Sequence, residues 1–255
     1  MATRIGIVGI HGRMGGEVVA LAARDPEIDL RGGVSRSPDG ARYPNLLVTP
    51  DASALLPSLD ALIDFSNAGA VEGVAAACVA AGTPLVTGTS GLDAAQQKAL
   101  EAAASKIPVF QAANMSPGIN AMLAVLPALV RALDGYDLEI VEAHHRYKAD
   151  APSGTAITLG RAIANASGGA LEERAQHGRE GVSPRQPGEI GIHAVRSGGN
   201  VGEHTIIIAG DGEEIRLSHR AFNRASYAEG ALRAAKLIVG QPAGFYGPAT
   251  LPGFL

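Results

Sequence analysis

Arg4-Ile5-Gly6-Ile7-Val8-Gly9-Ile10-His11-Gly12-Arg13-Met14-Gly15 decides the fold. A short β-branched run, Ile5–Val8, ends in a Gly-x-x-Gly-x-x-Gly spacing, and Met14–Arg24 then reads as a helix. Glycine tightens such a strand-helix turn and lets backbone N–H groups approach phosphate oxygens, while the positive end of the helix dipole favours their charge. Placed after a strand and before a helix, the triplet reads as a dinucleotide site rather than a merely tight turn.

The rhythm set by this stretch continues to Gln111. Leu30–Val34, Ala61–Phe65, Leu85–Val86 and Pro108–Phe110 read as strands, alternating with helices over Ala70–Ala81 and Ala94–Ser105. Such alternation implies a parallel sheet with helices on both faces, and right-handed crossovers make it doubly wound. Beyond Asn114 the rhythm changes. A longer helix, Ile119–Leu133, leads into the strand Leu138–His144, and another helix opens near Ser153. Asn165–Gly202, rich in Gly, Ser, Pro and charge, reads as a mobile, loop-dominated stretch with at most short strands. Glu203–Ala209 and Glu213–His219 flank Gly210-Asp211-Gly212 and read as an antiparallel pair, before a last helix over Tyr227–Val239.

Composition narrows the function classes. With 255 residues the chain can build one large domain or two modest ones. Its net charge of −4 offers no general attraction to nucleic acid or anionic lipid. No run approaches the length of a membrane span, and the N-terminus carries no secretory pattern, so a soluble cytoplasmic protein is expected. One cysteine permits no intrachain disulfide, and Cys78 reads as a small apolar residue in an Ala-rich helix.

Several loops at the carboxyl ends of the strands fit a nicotinamide dinucleotide. Gly9, Ile10, His11, Gly12, Arg13 and Met14 would hold the pyrophosphate. At the end of the second strand, Ser35-Arg36 carries no acid to pair with a ribose diol, and the Arg36 guanidinium suits a 2′-phosphate. Gly88-Thr89-Ser90 and Ala112-Ala113-Asn114-Met115 are small or polar enough to approach a flat nicotinamide. Asp64-Phe65-Ser66 could line the same crevice.

The densest chemistry lies in Glu142-Ala143-His144-His145-Arg146-Tyr147-Lys148-Ala149-Asp150-Ala151-Pro152-Ser153-Gly154-Thr155-Ala156. Histidines, a lysine and acids this close together are costly as mere structure. Ser153-Gly154-Thr155 opens a helix whose N–H groups and hydroxyls would hold a carboxylate. His144 and His145 point to opposite sides of a strand, so they do not share one zinc ion, and no metal site is expected.

The segments GIHGRMG (9–15), IDFS (63–66), VTGTSG (86–91), AANMSPGIN (112–120), EAHHRYKADAPSGTA (142–156) and VGEHT (201–205) together resemble the 4-hydroxy-tetrahydrodipicolinate reductase family, formerly dihydrodipicolinate reductase, of bacterial lysine and diaminopimelate synthesis. The resemblance runs essentially end to end. It implies a Rossmann dinucleotide domain formed by residues 1–115 plus 225–255, with an inserted mixed α+β substrate and oligomerisation domain over 116–224 that builds a homotetramer. It further implies His144 as proton donor/acceptor, Lys148 as proton donor, and His145, Ser153, Gly154 and Thr155 as substrate contacts. The expected partner is a small cyclic imine dicarboxylate, not nucleic acid or membrane. The expected cofactor is NADPH or NADH, with NADPH preferred because Ser35 stands where some members carry an acid. Two other readings fit the scaffold: a reductase of another small imino or amino dicarboxylate, disfavoured by the 142–156 run, and a nucleotide-sensing protein without turnover.

Overall fold

The computed structural model describes residues 1–37 and 42–255, which divide into two compact units, Met1–Pro117 with Arg224–Leu255, and Gly118–Asn223. The chain begins β1 (Thr3–Val8), α1 (Arg13–Ala22), β2 (Ile28–Val34), β3 (Leu47–Thr49), β4 (Ala61–Asp64), α2 (Val71–Ala81), β5 (Leu85–Thr87), α3 (Ala94–Ala104) and β6 (Pro108–Gln111). Local chemistry fixes the helix ends. Gly82 closes α2 in the left-handed conformation at φ 68°, where a side chain would be strained. Asp93 opens α3 by accepting from Ala95 and Gln96 N–H at 2.8 and 2.9 Å, while Gln96 Oε1 accepts from Asp93 N–H at 2.9 Å, a reciprocal cap.

The chain then runs through α4 (Pro117–Ala132), β7 (Asp137–His144), α5 (Gly154–Ala166), the short α6 (Leu171–Arg174), β8 (Ala175–His177), β9 (Ile190–Arg196), β10 (Gly202–Ala209) and β11 (Glu214–Ala221). It returns to the first unit as α7 (Ala225–Ile238) and β12 (Gly244–Tyr246).

Among the described residues the first unit holds seven parallel strands in the order β12-β6-β5-β4-β1-β2-β3, a Rossmann-like arrangement. The order reverses between β1 and β4, and in open α/β sheets ligands bind at such a reversal, beyond the strand carboxyl ends. Helices cover both faces. Ile5, Ile7 and Ile63 pack with Val18 of α1 and Ala231 and Ala235 of α7. On the other face, Leu62, Leu85 and Val109 pack with Val74 of α2 and Leu100 of α3. No described helix is long and apolar enough to cross a membrane.

The second unit is a mixed sheet with the order β11-β10-β7-β9-β8. β7 runs antiparallel to β10 and parallel to β9. Along β7 the side chains alternate, so Leu138, Ile140, Glu142 and His144 share the buried face. Leu138 and Ile140 join Ile190, Ile192, Ile206 and Ile208 beneath α4 and α5, and each fully buried Ile adds roughly 1.5–3 kcal/mol of apolar burial. The same face carries polar residues only toward the carboxyl end of β7.

β9 corrects the expectation of at most short strands in Asn165–Gly202, because seven residues of this largely irregular stretch form an interior strand, with β8 at the edge beyond it. Gly191 and the Gly- and Pro-rich flanks mask its periodicity in the sequence. The glycine leaves room for the Glu139 carboxylate of the neighbouring strand, which a Cβ there would displace. β3 and β12, too short to announce themselves, widen the first sheet at its two edges.

Candidate functional site

In the first unit the predicted glycine loop sits at the strand-order reversal. Gly9 has φ 83°, and a Cβ on it would lie 2.6 Å from the Phe65 carbonyl oxygen at the end of β4. A Cβ on Gly15 would strike the Gly9 carbonyl, so the turn closes tightly only with glycine. Gly12 precedes α1 and gives it no side-chain cap, which leaves the first-turn N–H groups to find partners outside the helix. The buried His11 Nε2 also lacks a hydrogen-bond partner among the described residues. A pyrophosphate fits both requirements. Arg42, which the sequence reading did not single out, donates to the His11 carbonyl at 2.9 Å and lies over the Tyr43 ring. With His11, Gly12, Arg13, Gly16 and Tyr43 it lines a cavity of about 390 Å³.

The other predicted cofactor loops adjoin this turn. Ser35 N–H donates to the Thr49 carbonyl at 3.0 Å, and its hydroxyl turns back on Ser37, which leaves Arg36 exposed between them. The fully buried Asp64 accepts from the hydroxyls of Thr87 and Thr89, each at 2.9 Å, and from Ser66 N–H at 3.0 Å. It thereby ties the Gly88-Thr89-Ser90 loop to β4. A Cβ on Gly88 would meet the Phe65 ring at 2.4–3.0 Å and the Met115 methyl at 3.2 Å, which brings the ends of β4, β5 and β6 together. Ala112 and Met115 are buried, and Asn114 Oδ1 accepts from Ser116 N–H at 2.8 Å.

The second unit gathers the 142–156 residues around the carboxyl end of β7. Fully buried Glu142 lies 2.6 Å from His144 Nδ1 through Oε2. It also takes a fork from Arg196, 2.8 Å at Oε2 and 2.7 Å at Oε1, and accepts from Ser153 N–H at 3.0 Å. Burial by itself would raise the Glu142 pKa. Arg196, His144 and the Ser153 N–H outweigh it and hold the carboxyl below its ordinary value, so the group is ionised at neutral pH. Burial pushes the His144 pKa down; Glu142 opposes this, Lys148 and Arg196 add to it, and the net shift is downward. His204 of β10 lies edge-on to His144 with ring centroids 5.2 Å apart. Burial, then the neighbouring His144, pushes its pKa to about 4.

Ser153 caps α5, its Oγ accepting from Ala156 N–H at 3.1 Å and lying 2.9 Å from His204 Nε2. Its hydroxyl therefore serves the helix terminus rather than standing open beside it. Gly154 and Thr155 form the first turn of that helix, and a Cβ on Gly154 would meet nothing within 4 Å. Packing does not require this glycine. The buried His145 Nδ1 has no partner among the described residues, and Lys148 Nζ contacts both oxygens of Asp150 at 2.8 Å. Sequence reading missed the roles of Glu142, Arg196 and His204. Glu142 and His204 lay within quoted motifs, whereas Arg196 gave no signal because β9 itself was not recognised. Among the described residues no group of His, Cys, Asp or Glu is arranged to hold a metal ion.

Each unit has a counterpart among known proteins. Residues 3–115 match the family model described as dihydrodipicolinate reductase, N-terminus, and residues 118–251 match that for its C-terminus. The chain belongs to the dihydrodipicolinate reductase family. A 4-hydroxy-tetrahydrodipicolinate reductase of Granulibacter bethesdensis is 47% identical over 247 residues, covering 95% of this chain and 94% of the relative. One from Thiobacillus denitrificans is 43% identical over 258 residues, covering 96% and 97%. Among solved structures, a dipicolinate-bound dihydrodipicolinate reductase from Paenisporosarcina sp. TG-14 superposes with a TM-score of 0.79 at 24% identity, covering 97% of this chain and 98% of the other. It shares the fold of both units with this family member.

Proposed function

We propose that the chain catalyses the NAD(P)H-dependent reduction of 4-hydroxy-tetrahydrodipicolinate to tetrahydrodipicolinate with loss of water, a step of bacterial diaminopimelate and lysine synthesis. The observation that carries this reading is the Glu142-His144 pair on the inward face of β7, beside Lys148 and the N-terminus of α5. In one unit it combines proton-transfer groups with a site for an anion. Residues 1–115 with 225–255 would bind the nucleotide, and 116–224 the substrate and neighbouring subunits. Membership of the family supports a cytoplasmic homotetramer that engages neither nucleic acid nor membrane.

When bound, the nicotinamide supplies a hydride. Gly9, Ile10, His11, Gly12, Arg13 and Met14 would hold its pyrophosphate through backbone N–H groups; Gly88, Thr89, Ser90, Ala112, Ala113, Asn114 and Met115 would border the ring; Ser35 and Arg36 would meet the ribose. Arg36, with Arg13 and Arg42 of the cavity, where the two cations outnumber the Glu17 carboxylate, supports a preference for NADPH over NADH.

The overall reaction takes up one hydride and one proton, and the hydroxyl leaves as water with a hydrogen from the neighbouring ring carbon. Charge builds toward the ring nitrogen as hydride arrives, so a positioned acid lowers the barrier, typically by about 10²–10⁴-fold. Lys148 is the proton donor in this reading, and His144 exchanges protons through Nε2. The first-turn N–H groups at Gly154 and Thr155, capped by Ser153, hold one carboxylate, and His145 assists with another.

The test is NADPH oxidation with freshly generated 4-hydroxy-tetrahydrodipicolinate, compared with no substrate and with an acyclic imino dicarboxylate. Turnover confined to the cyclic substrate is expected; oxidation with the acyclic one alone overturns the assignment.

A further inference from the structure

Glu142 is used on both oxygens, and the partners of those oxygens differ in kind. Oε1 accepts from Ser153 N–H and Arg196 Nη2, two groups that only donate. Oε2 accepts from Arg196 Nη1 and faces His144 Nδ1, a ring nitrogen that can donate or accept according to its tautomer. An ionised carboxylate offers no proton, so at 2.6 Å the imidazole must place its own on Nδ1. That assignment leaves Nε2 with the lone pair.

Resting on the reductase reading above, we propose that Glu142 is a positioning residue: clamped by Arg196 and Ser153, it fixes His144 in the Nδ1–H tautomer and so makes Nε2 the atom that exchanges a proton with the substrate. The clamp is built from three elements. Glu142 and His144 stand one pleat apart on β7, Arg196 reaches from the parallel β9, and Ser153 opens α5. Arg196 is itself fixed at the other side of the cluster, donating through Nη2 to the Asp150 carbonyl. The charged or titratable groups facing His144 are Glu142 on its own strand, Lys148 on the following loop, Arg196 on β9 and His204 on β10. Glu142 alone among them is an anion, and it is the one in contact with Nδ1.

Nitrogen-15 NMR of the imidazoles in the wild-type holoenzyme, without substrate, reads the tautomer directly. His144 is expected to carry its proton on Nδ1; a proton on Nε2 overturns the inference whatever the activity. Glu142→Gln gives the second reading. An amide nitrogen at the Oε1 position would oppose two fixed donors, whereas at the Oε2 position it opposes Arg196 and a ring that can reverse. The amide therefore turns its nitrogen toward His144, and the proton moves to Nε2.

The expected kinetic result for Glu142→Gln is a kcat lower by roughly tenfold or more, with KM for the dicarboxylate and Kd for NADPH little changed. Unchanged kcat in an enzyme whose tautomer has moved sinks the inference and leaves the reductase reading intact. A wild type inactive on the substrate sinks the reductase reading and leaves the tautomer result standing. Arg196→Gln covers the case in which Glu142→Gln does not fold. Without this fork the Glu142 carboxylate loses its fixed aim on Nδ1, so kcat is expected to fall with KM for the dicarboxylate little changed, and an unchanged kcat overturns the clamp.

Discussion

Lys148 Nζ lies 2.8 Å from both carboxylate oxygens of Asp150, two residues further along the same loop. The lysine is mostly covered and the aspartate mostly exposed, so the acid reaches inward to meet the ammonium. Its bond to Lys148 holds the Asp150 carboxyl below its ordinary pKa, with burial opposing. The proposed proton donor is thus orientated before substrate arrives.

Lys148→Ala is expected to lower kcat by at least about tenfold and to leave NADPH affinity unchanged, because it acts on the substrate's proton. Asp150→Asn keeps the ammonium but loosens its aim, and a smaller loss of kcat is expected. Steady-state kinetics with a nucleotide titration checks both. Near-wild-type turnover in Lys148→Ala removes it from the chemistry.

Much of this arrangement is legible in the sequence. The strand-glycine-helix start fixed the doubly wound first unit, and the 142–156 run placed His144, Lys148 and the α5 terminus in one neighbourhood, because all three are joined by a short length of chain. What escaped depends on pairing between distant segments. Arg196 reaches Glu142 only because β9 lies beside β7, and His204 meets Ser153 only because β10 lies on the other side. Arg42 follows β2 by several residues, where no local spacing ties it to His11.

His204 makes stability depend on acidity. Its folded pKa of about 4 lies below the ordinary 6.5, so between these values the unfolded chain binds a proton that the folded chain does not. The stabilising contribution is fully present above 6.5 and is lost as pH falls toward 4, in total about 3 kcal/mol at roughly 1.36 kcal/mol per unit. Urea unfolding of wild type and His204→Gln across this range checks it. The stability gap is expected to narrow on acidification, and parallel curves would show that His204 does not carry the effect.

Gly154 separates ligand contact from packing. A Cβ there meets nothing within 4 Å, so Gly154→Ala is expected to leave the melting temperature unchanged or slightly higher. If a carboxylate rests on that first turn, the added methyl crowds it and KM for the dicarboxylate rises several-fold. Thr155→Val, which removes a hydroxyl at similar volume, should also raise KM with little change in kcat. Unaltered KM in both variants moves the anion site away from α5.

The proposed preference for NADPH rests on charge around the end of β2. Ser35 presents no carboxylate to repel a 2′-phosphate, its hydroxyl being turned back on Ser37, and Arg36 is exposed beside it. Arg13 and Arg42 add positive charge at the cavity next to the glycine loop. A hydrogen bond to a charged group contributes roughly 1.5–3 kcal/mol, and solvent at an exposed arginine removes part of that, so about a tenfold preference is expected. Dissociation constants of NADPH and NADH, measured at low and high salt, give the first check: the ratio should shrink as salt rises. Ser35→Glu with Arg36→Ala gives the second, since it exchanges the phosphate's attraction for repulsion and offers the ribose diol an acceptor. Arg42→Ala separates the two cationic groups. Loss of preference in the double variant but not in Arg42→Ala assigns it to the tip of β2, and the reverse assigns it to the cavity. A wild type that binds both nucleotides equally ends the argument.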